Sequence, residues 1–221
     1  MARRAQTKPR KDGCQSRSRA TVDALVEATA RVLTKEGYER ASTNRIASVA
    51  GVSIGSLYQY FPSKEALVAA VIERHAQELS RVVRDTYFRI AALPIEAGAR
   101  EFVRAAIAAH RVDPKLHRIL DEEVPRAGLE NVDAAVQNAN GLFRAYLEAH
   151  RHEIDVSDPE LAAFILVTTV EALTHSAVLH RPDILAGEKA AAFVDEVTGL
   201  VLRYLRPANR PKEAPGDAER R

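Results

Sequence analysis

Apolar residues recur three and four positions apart along most of the chain, and no stretch holds the strict alternation of a half-buried strand. Val22, Leu25, Val26, Thr29, Val32 and Leu33 share one helical face, predicting a first helix from about Arg19 to Lys35. Gly37 ends it, and Tyr38 turns the chain back toward the core. Ser42 or Thr43 can cap a second, short helix whose inward residues are Ile46, Ala47 and Val49 or Ala50. Gly51 supplies a turn, Val52 plugs the angle, and Ser53 caps a third helix of about Ile54 to Tyr60. Leu57 and Phe61 anchor that helix, Pro62 stops it, and Ser63 caps the next with Glu65 in its first turn.

Longer helices follow. The fourth runs from about Lys64 to Ile90 on Leu67, Val68, Val71, Ile72, Leu79, Val82 and Val83. Pro94 separates it from a fifth, Ile95 to Arg111, and Pro114 opens a sixth, Lys115 to Val124. A seventh covers about Leu129 to His150, an eighth Pro159 to His180, and a ninth Glu188 to Leu205. The reading is all-α, with about nine helices and no internal repeat. An N-terminal helix-turn-helix domain at 19–63 precedes a larger helical domain at 64–206. A basic arm at 1–18 and a Pro-rich, charged tail at 207–221 lack apolar periodicity and are expected to be disordered.

Composition agrees with helices: aromatics are 5%, tryptophan is absent, and the apolar fraction of 46% suffices for a core. Uninterrupted apolar runs are short, the longest being Leu161 to Val170 with its two threonines, so no membrane span is expected. No apolar stretch follows the basic N-terminus, so no secretory leader is expected either. One cysteine, Cys14, suits a reducing cytoplasm. The net charge of +2 conceals an asymmetry, because residues 1–62 carry 11 Lys/Arg against 5 Asp/Glu while the remainder carries 21 against 25. A basic front points to a polyanionic partner.

The stretch Thr43 to Leu67 has the grammar of a helix laid in a DNA major groove. Ser53, Gly55 and Ser56 leave the start of the third helix unencumbered for close approach to base edges, and Ile54 suits a thymine methyl. Gln59 can pair with adenine if it faces the groove. Tyr58 and Tyr60 are read as two exposed tyrosines reaching backbone phosphates; Thr43 and Asn44 meet a phosphate at a helix start. Lys64 adds a charge on the far side, and Arg45 is left open between base and phosphate.

Helix 1 followed by ASTNRIASVAGVSIGSLYQYFPSKEAL closely resembles the DNA-binding domain of the TetR family of transcriptional regulators, over roughly Arg19 to Ile72. The resemblance implies that Thr43, Asn44, Arg45, Ser53, Gly55, Ser56, Tyr58, Tyr60 and Lys64 lie at or beside an operator. It also implies a dimer that releases DNA when a small molecule binds the C-terminal domain. The basic arm departs from shorter members, so arm contacts are expected to add to those of the motif.

A single helix-turn-helix offers few base contacts, so a homodimer on a pseudo-palindrome is expected. The eighth helix is apolar nearly all round. The ninth carries Ala190, Phe193, Val194, Val197, Leu200, Val201 and Tyr204 at coiled-coil-like spacing beside Gly199, so these two are assigned the dimer surface. Effector contacts are assigned to Phe102, Ile107, His110, Leu120, Phe143, Tyr146, Phe164, Thr168, Glu171 and His175. Glu171 and His175, a turn apart inside an apolar run, need partners if buried. The pairs His117/Asp121 and Glu171/His175 have metal-ligand spacing, but no HExxH or di-iron pattern accompanies them, so neither cofactor, metal nor catalysis is assigned. Glu122 and Glu123, at a helix C-terminus, are expected to pair with Arg126. The alternatives weighed are a non-specific architectural DNA binder and, behind it, a helical metal enzyme.

Overall fold

The computed structural model describes residues 16–125 and 130–206. The tail, Cys14, Arg126 and all but the last three residues of the arm lie outside them. Among the described residues all regular structure is helical: α1 (Ser16–Glu36), α2 (Thr43–Ala50), α3 (Ile54–Tyr60), α4 (Lys64–Ile90), α5 (Ile95–His110), α6 (Pro114–Glu122), α7 (Glu130–Ala149), α8 (Pro159–His180) and α9 (Glu188–Leu205). Short 3-10 turns at Arg151–Glu153 and Pro182–Leu185 precede α8 and α9. Helix α1 starts before the expected Arg19, and α6 stops short of Val124.

Local chemistry sets the boundaries. Ser42, Ser53 and Ser63 accept hydrogen bonds from the backbone N–H groups of Arg45, Ser56 and Ala66, three residues on. Asp113 and Asp158 do the same for α6 and α8, each followed by proline at the first helical position. Such caps are worth about 1 kcal/mol each. Gly51 closes α2 at φ 69, a left-handed conformation that costs glycine little.

Two apolar cores form. The first gathers Leu25, Leu33, Ile46, Leu57 and Phe61 with Leu67 and Val71 of α4 and Leu116, Leu120 and Val124 on or just beyond α6. Packing around the head therefore extends past Ser63. The second gathers Ile90, Ile95, Val103, Phe143, Leu147, Leu166, Val170, Val197 and Val201. Helix α4 reaches both, with its middle facing a cavity between them.

Helix α8 corrects one expectation. Its 22 residues are, by length and composition alone, long and apolar enough to cross a membrane, which the length of uninterrupted runs had concealed. In this fold it is a core helix, with Ala162, Ala163, Leu166 and Val170 fully buried and its sides against α5 and α7.

Tyr146 belongs to the second core, 1% exposed, and its hydroxyl donates to the Leu93 carbonyl at 3.0 Å. It crosses α5 at Gly98, where an added Cβ would stand 1.9 Å from the tyrosine oxygen. Gly98→Ala is thus expected to destabilise the protein by about 2 kcal/mol or more, as overpacking of a tight core does. A urea unfolding midpoint unchanged from wild type would contradict this packing.

Candidate nucleic-acid interface and effector cavity

The head presents the start of α3 outward. Ser53, Ile54, Gly55 and Gln59 are exposed, Tyr58 is 44% exposed, and Leu57 alone of α3 is fully buried as its anchor. A Cβ added at Gly55 would meet only Ser53 Oγ, at 3.9 Å, so the fold itself does not require glycine there. Ser56 is half-buried and its hydroxyl lies 2.9 Å from that of Ser53. Asn44 and Arg45 are exposed on α2, while Thr43 is half-buried and its hydroxyl sits 3.1 Å from that of Tyr58, which fixes the two helices' outer edges together.

Both of the expected cationic donors have partners within the chain. Arg45 Nε donates to Glu36 at 2.7 Å. Lys64 Nζ donates to the Tyr38 carbonyl at 3.1 Å and stands 4.0 Å above the Tyr38 ring. Tyr60 is not the second exposed tyrosine expected; it is half-buried against the first core, because its place at the end of α3 brings its ring beside the buried Phe61 and α4. The Glu123 carboxylate accepts from the Tyr38 backbone N–H at 2.8 Å, while its expected partner Arg126 lies outside the described residues.

Behind the head, α4, α5, α6, α7 and α8 enclose an open cavity of about 290 Å³. Phe102, His110, Leu120, Phe143, Thr168 and Glu171 line it. Phe102 and Phe143 stack with ring centroids 4.3 Å apart. The other four residues assigned to it lie elsewhere. Ile107 and Tyr146 point into the second core, Phe164 is 57% exposed on the outside of α8, and His175 stands beside the lining rather than in it. Burial distinguishes these positions, and helical spacing alone does not. The spacing also missed the α4 wall of Leu79, Val83, Tyr87 and Ile90. Its signal was a helix carrying Ser80 and Thr86 among apolar residues. Ala105, Ala106 and Ala109 of α5 make the room.

At the head-proximal end four imidazoles from four helices meet. His75 Nε2 and His117 Nδ1 share a hydrogen bond of 2.9 Å. His110, His117 and His175 form a triangle of ring centroids 5.1 to 5.4 Å apart. His175 Nε2 lies 3.6 Å from Asp121. Burial, then the neighbouring histidines, hold His110 down to about 3 and His117 down to about 4. His75 is lowered chiefly by burial, opposed by Glu78 and Asp113. Glu171 is exposed at the cavity mouth, yet the atoms crowding its carboxyl desolvate it and raise its pKa; His175 opposes and Asp121 adds to the rise. Among the described residues no group of three or more His, Cys, Asp or Glu side chains is placed to hold a metal ion.

A capped helix-turn-helix on a helical body with a ligand-sized cavity defines a DNA-binding regulator. The family model for bacterial regulatory proteins of the tetR family matches residues 25–71, and that for the tetracyclin repressor-like C-terminal domain matches 94–205. The chain belongs to the TetR family of transcriptional regulators. Family and fold are those of regulators rather than enzymes.

Among curated proteins, the chain is 45% identical over 49 residues to the nucleoid occlusion factor SlmA of Haemophilus ducreyi, covering 22% of this chain and 24% of that one. It is 33% identical over 105 residues to the transcriptional repressor KstR of Mycobacterium tuberculosis, covering 47% and 44%. The chain thus spans about a quarter to under half the length of these relatives. A TetR-family regulator structure from Mesorhizobium loti superposes with a TM-score of 0.68 at 20% identity, covering 85% of this chain and 98% of that one, a likeness of fold.

The histidine cluster makes stability depend on pH. In the unfolded chain each imidazole takes up a proton near its ordinary 6.5, while His110 and His117 resist protonation in the fold until about 3 and about 4. Between those values the unfolded state binds more protons, so stability is full above about 6.5 and is lost as pH falls. His110 and His117 each account for roughly 2 kcal/mol between pH 6.5 and 4.5. Urea midpoints should fall over that range in wild type and fall less in His110→Leu; parallel curves would show that the cluster is not held neutral.

Proposed function

We propose that the chain is a dimeric repressor that binds a pseudo-palindromic operator in the cytoplasm and is released when a small-molecule effector fills the cavity. The observation that carries this reading is the double contact of α6. Leu116 and Leu120 are packed in the head core, while His117, Leu120 and Asp121 line the cavity. A ligand that displaces α6, or the cavity-facing middle of α4, therefore acts on the elements that seat the helix-turn-helix.

The operator contacts follow the exposed edge of α2 and α3. Ser53, Ile54, Gly55, Ser56 and Gln59 face the bases, and Thr43, Asn44, Tyr58, Tyr60 and Lys64 hold flanking phosphates, with Arg45 free to serve either once it leaves Glu36. Lys64 exchanges the Tyr38 carbonyl for a phosphate. Lys64→Ala should weaken binding to all sequences alike and lower the salt slope by about one. Gly55→Ala, which the free fold tolerates, should instead lower affinity or shift sequence preference. Titrations against operator and random duplex at several salt concentrations check both, and a Lys64→Ala protein with unaltered affinity and slope would sink the placement.

The dimer surface is the outside of α8 and α9. Val194, Val197 and Val201 of the assigned stripe turn into the chain's own core, whereas Leu200 and Tyr204 remain exposed, as do Leu161, Phe164 and Leu173 on α8. These exposed apolar residues support pairing of the two helices with their copies in an intermolecular bundle. Phe164→Asp combined with Leu200→Asp should convert a dimer to a folded monomer in sedimentation at micromolar concentration. A wild-type monomer, or a variant that remains dimeric, would contradict this surface.

A further inference from the structure

The cavity carries a charge pattern that its apolar walls do not require. Among the described residues that line it there is no lysine or arginine. Its ionisable groups are His75, His110, His117, Asp121 and Glu171. Three nearby arginines are engaged within the chain: Arg111 donates to the Leu185 carbonyl, Arg118 to the Leu179 carbonyl, and Arg89 to the hydroxyl of Thr86, which itself lies on the cavity wall. Glu171 has no lysine or arginine partner among the described residues, although burial disfavours its charge.

The imidazoles extend the same pattern. His110 is 7% exposed and His75 6%, and the Nδ1 atom of each has no hydrogen-bond partner. A neutral imidazole carries one N–H and one lone pair, so either ring can present a lone pair at that atom. Such lone pairs and the two carboxylates at one end of a cavity call for a donor or a positive charge. They repel an anion, which would first have to charge a ring held down to about 3 or about 4.

We infer that the cavity takes a lipophilic organic cation, a protonated amine on an apolar body, with its head between Glu171 of α8 and Asp121 of α6 and its body against Phe102 and Phe143. This deepens the reading of the cavity as the effector site and rests on it. The ammonium supplies the charge that Glu171 lacks, and its N–H donors can engage an imidazole lone pair after a small ring rotation. The stacked Phe102 and Phe143 provide a flat apolar wall that also tolerates a neighbouring cation. The volume of about 290 Å³ suits a small amine rather than a large conjugate. Because Asp121 lies on α6, closing the two carboxylates on one cation draws on the helix whose end residue Glu123 holds the Tyr38 backbone of the head.

The test uses the full-length protein and four probes: phenylbutylammonium, phenylbutanol, phenylbutanoate and zinc ion, titrated calorimetrically at neutral pH. The ammonium should bind at least about tenfold more tightly than the alcohol, and the carboxylate more weakly than either. Glu171→Gln should lower ammonium affinity by about tenfold or more while leaving alcohol affinity within about twofold, with an unchanged melting temperature. Tighter binding of the carboxylate, equal binding of ammonium and alcohol, no ammonium binding, stoichiometric binding of zinc alone, or an ammonium affinity indifferent to Glu171→Gln would each overturn the assignment. Operator release is measured in parallel. Ammonium binding that obeys the Glu171→Gln result without releasing operator would support the cation chemistry and sink the effector reading instead.

Discussion

Leu116, Leu120 and Val124 belong to the same core as Leu25, Ile46 and Phe61, so the first core closes only when residues on and just beyond α6 are in place. That shared core makes the head something other than an independent reading module. Apolar side chains in a close-packed interior cannot shift by much without forfeiting contacts along the whole seam. A displacement on the cavity side of α6 is therefore felt at α1, and the Glu123 contact to Tyr38 extends it to the loop that leads into α2.

Around this seam the polar groups are arranged in two different ways. On the head, cationic and hydroxyl groups are already engaged: Arg45 with Glu36, Lys64 with Tyr38, Thr43 with Tyr58. The Arg45 and Thr43 contacts are exposed and each is worth little in free energy, whereas that of Lys64 is half-buried. In the cavity the opposite holds. His75 and His110 are buried with an unpartnered Nδ1 each, and such groups are costly to leave so. The polar groups of the head are thus satisfied within the chain, whereas the cavity retains unpaired ones.

The helices were legible because their signals are local. Ser53 before Ile54, Pro62 after Phe61 and Pro114 after Asp113 act through bonds within a turn of chain, and the structure places caps and stops at those residues. The exposed edge of α3 was equally legible, since Leu57 and Phe61 define its buried side by spacing. Tyr60 was misread because a tyrosine next to an exposed one can still be swung into the core by the chain's turn at Pro62. Tyr146, Ile107 and Phe164 were misread in the cavity for a related reason. On helices covered from more than one side, periodicity marks an apolar residue but not which neighbour it meets.

The amino-acid pattern by itself determined the all-helical architecture and the helix-turn-helix, including the side of α3 left free, because capping, proline stops and helical periodicity need no distant partner. Only the tertiary structure decided that α6 belongs to the head core and that α4 lends its middle to the cavity. It alone brought His75, His110, His117 and His175 together, from positions as much as 100 residues apart. Those outcomes depend on how five helices cross, and the crossing is set by the summed packing of side chains far apart in the chain.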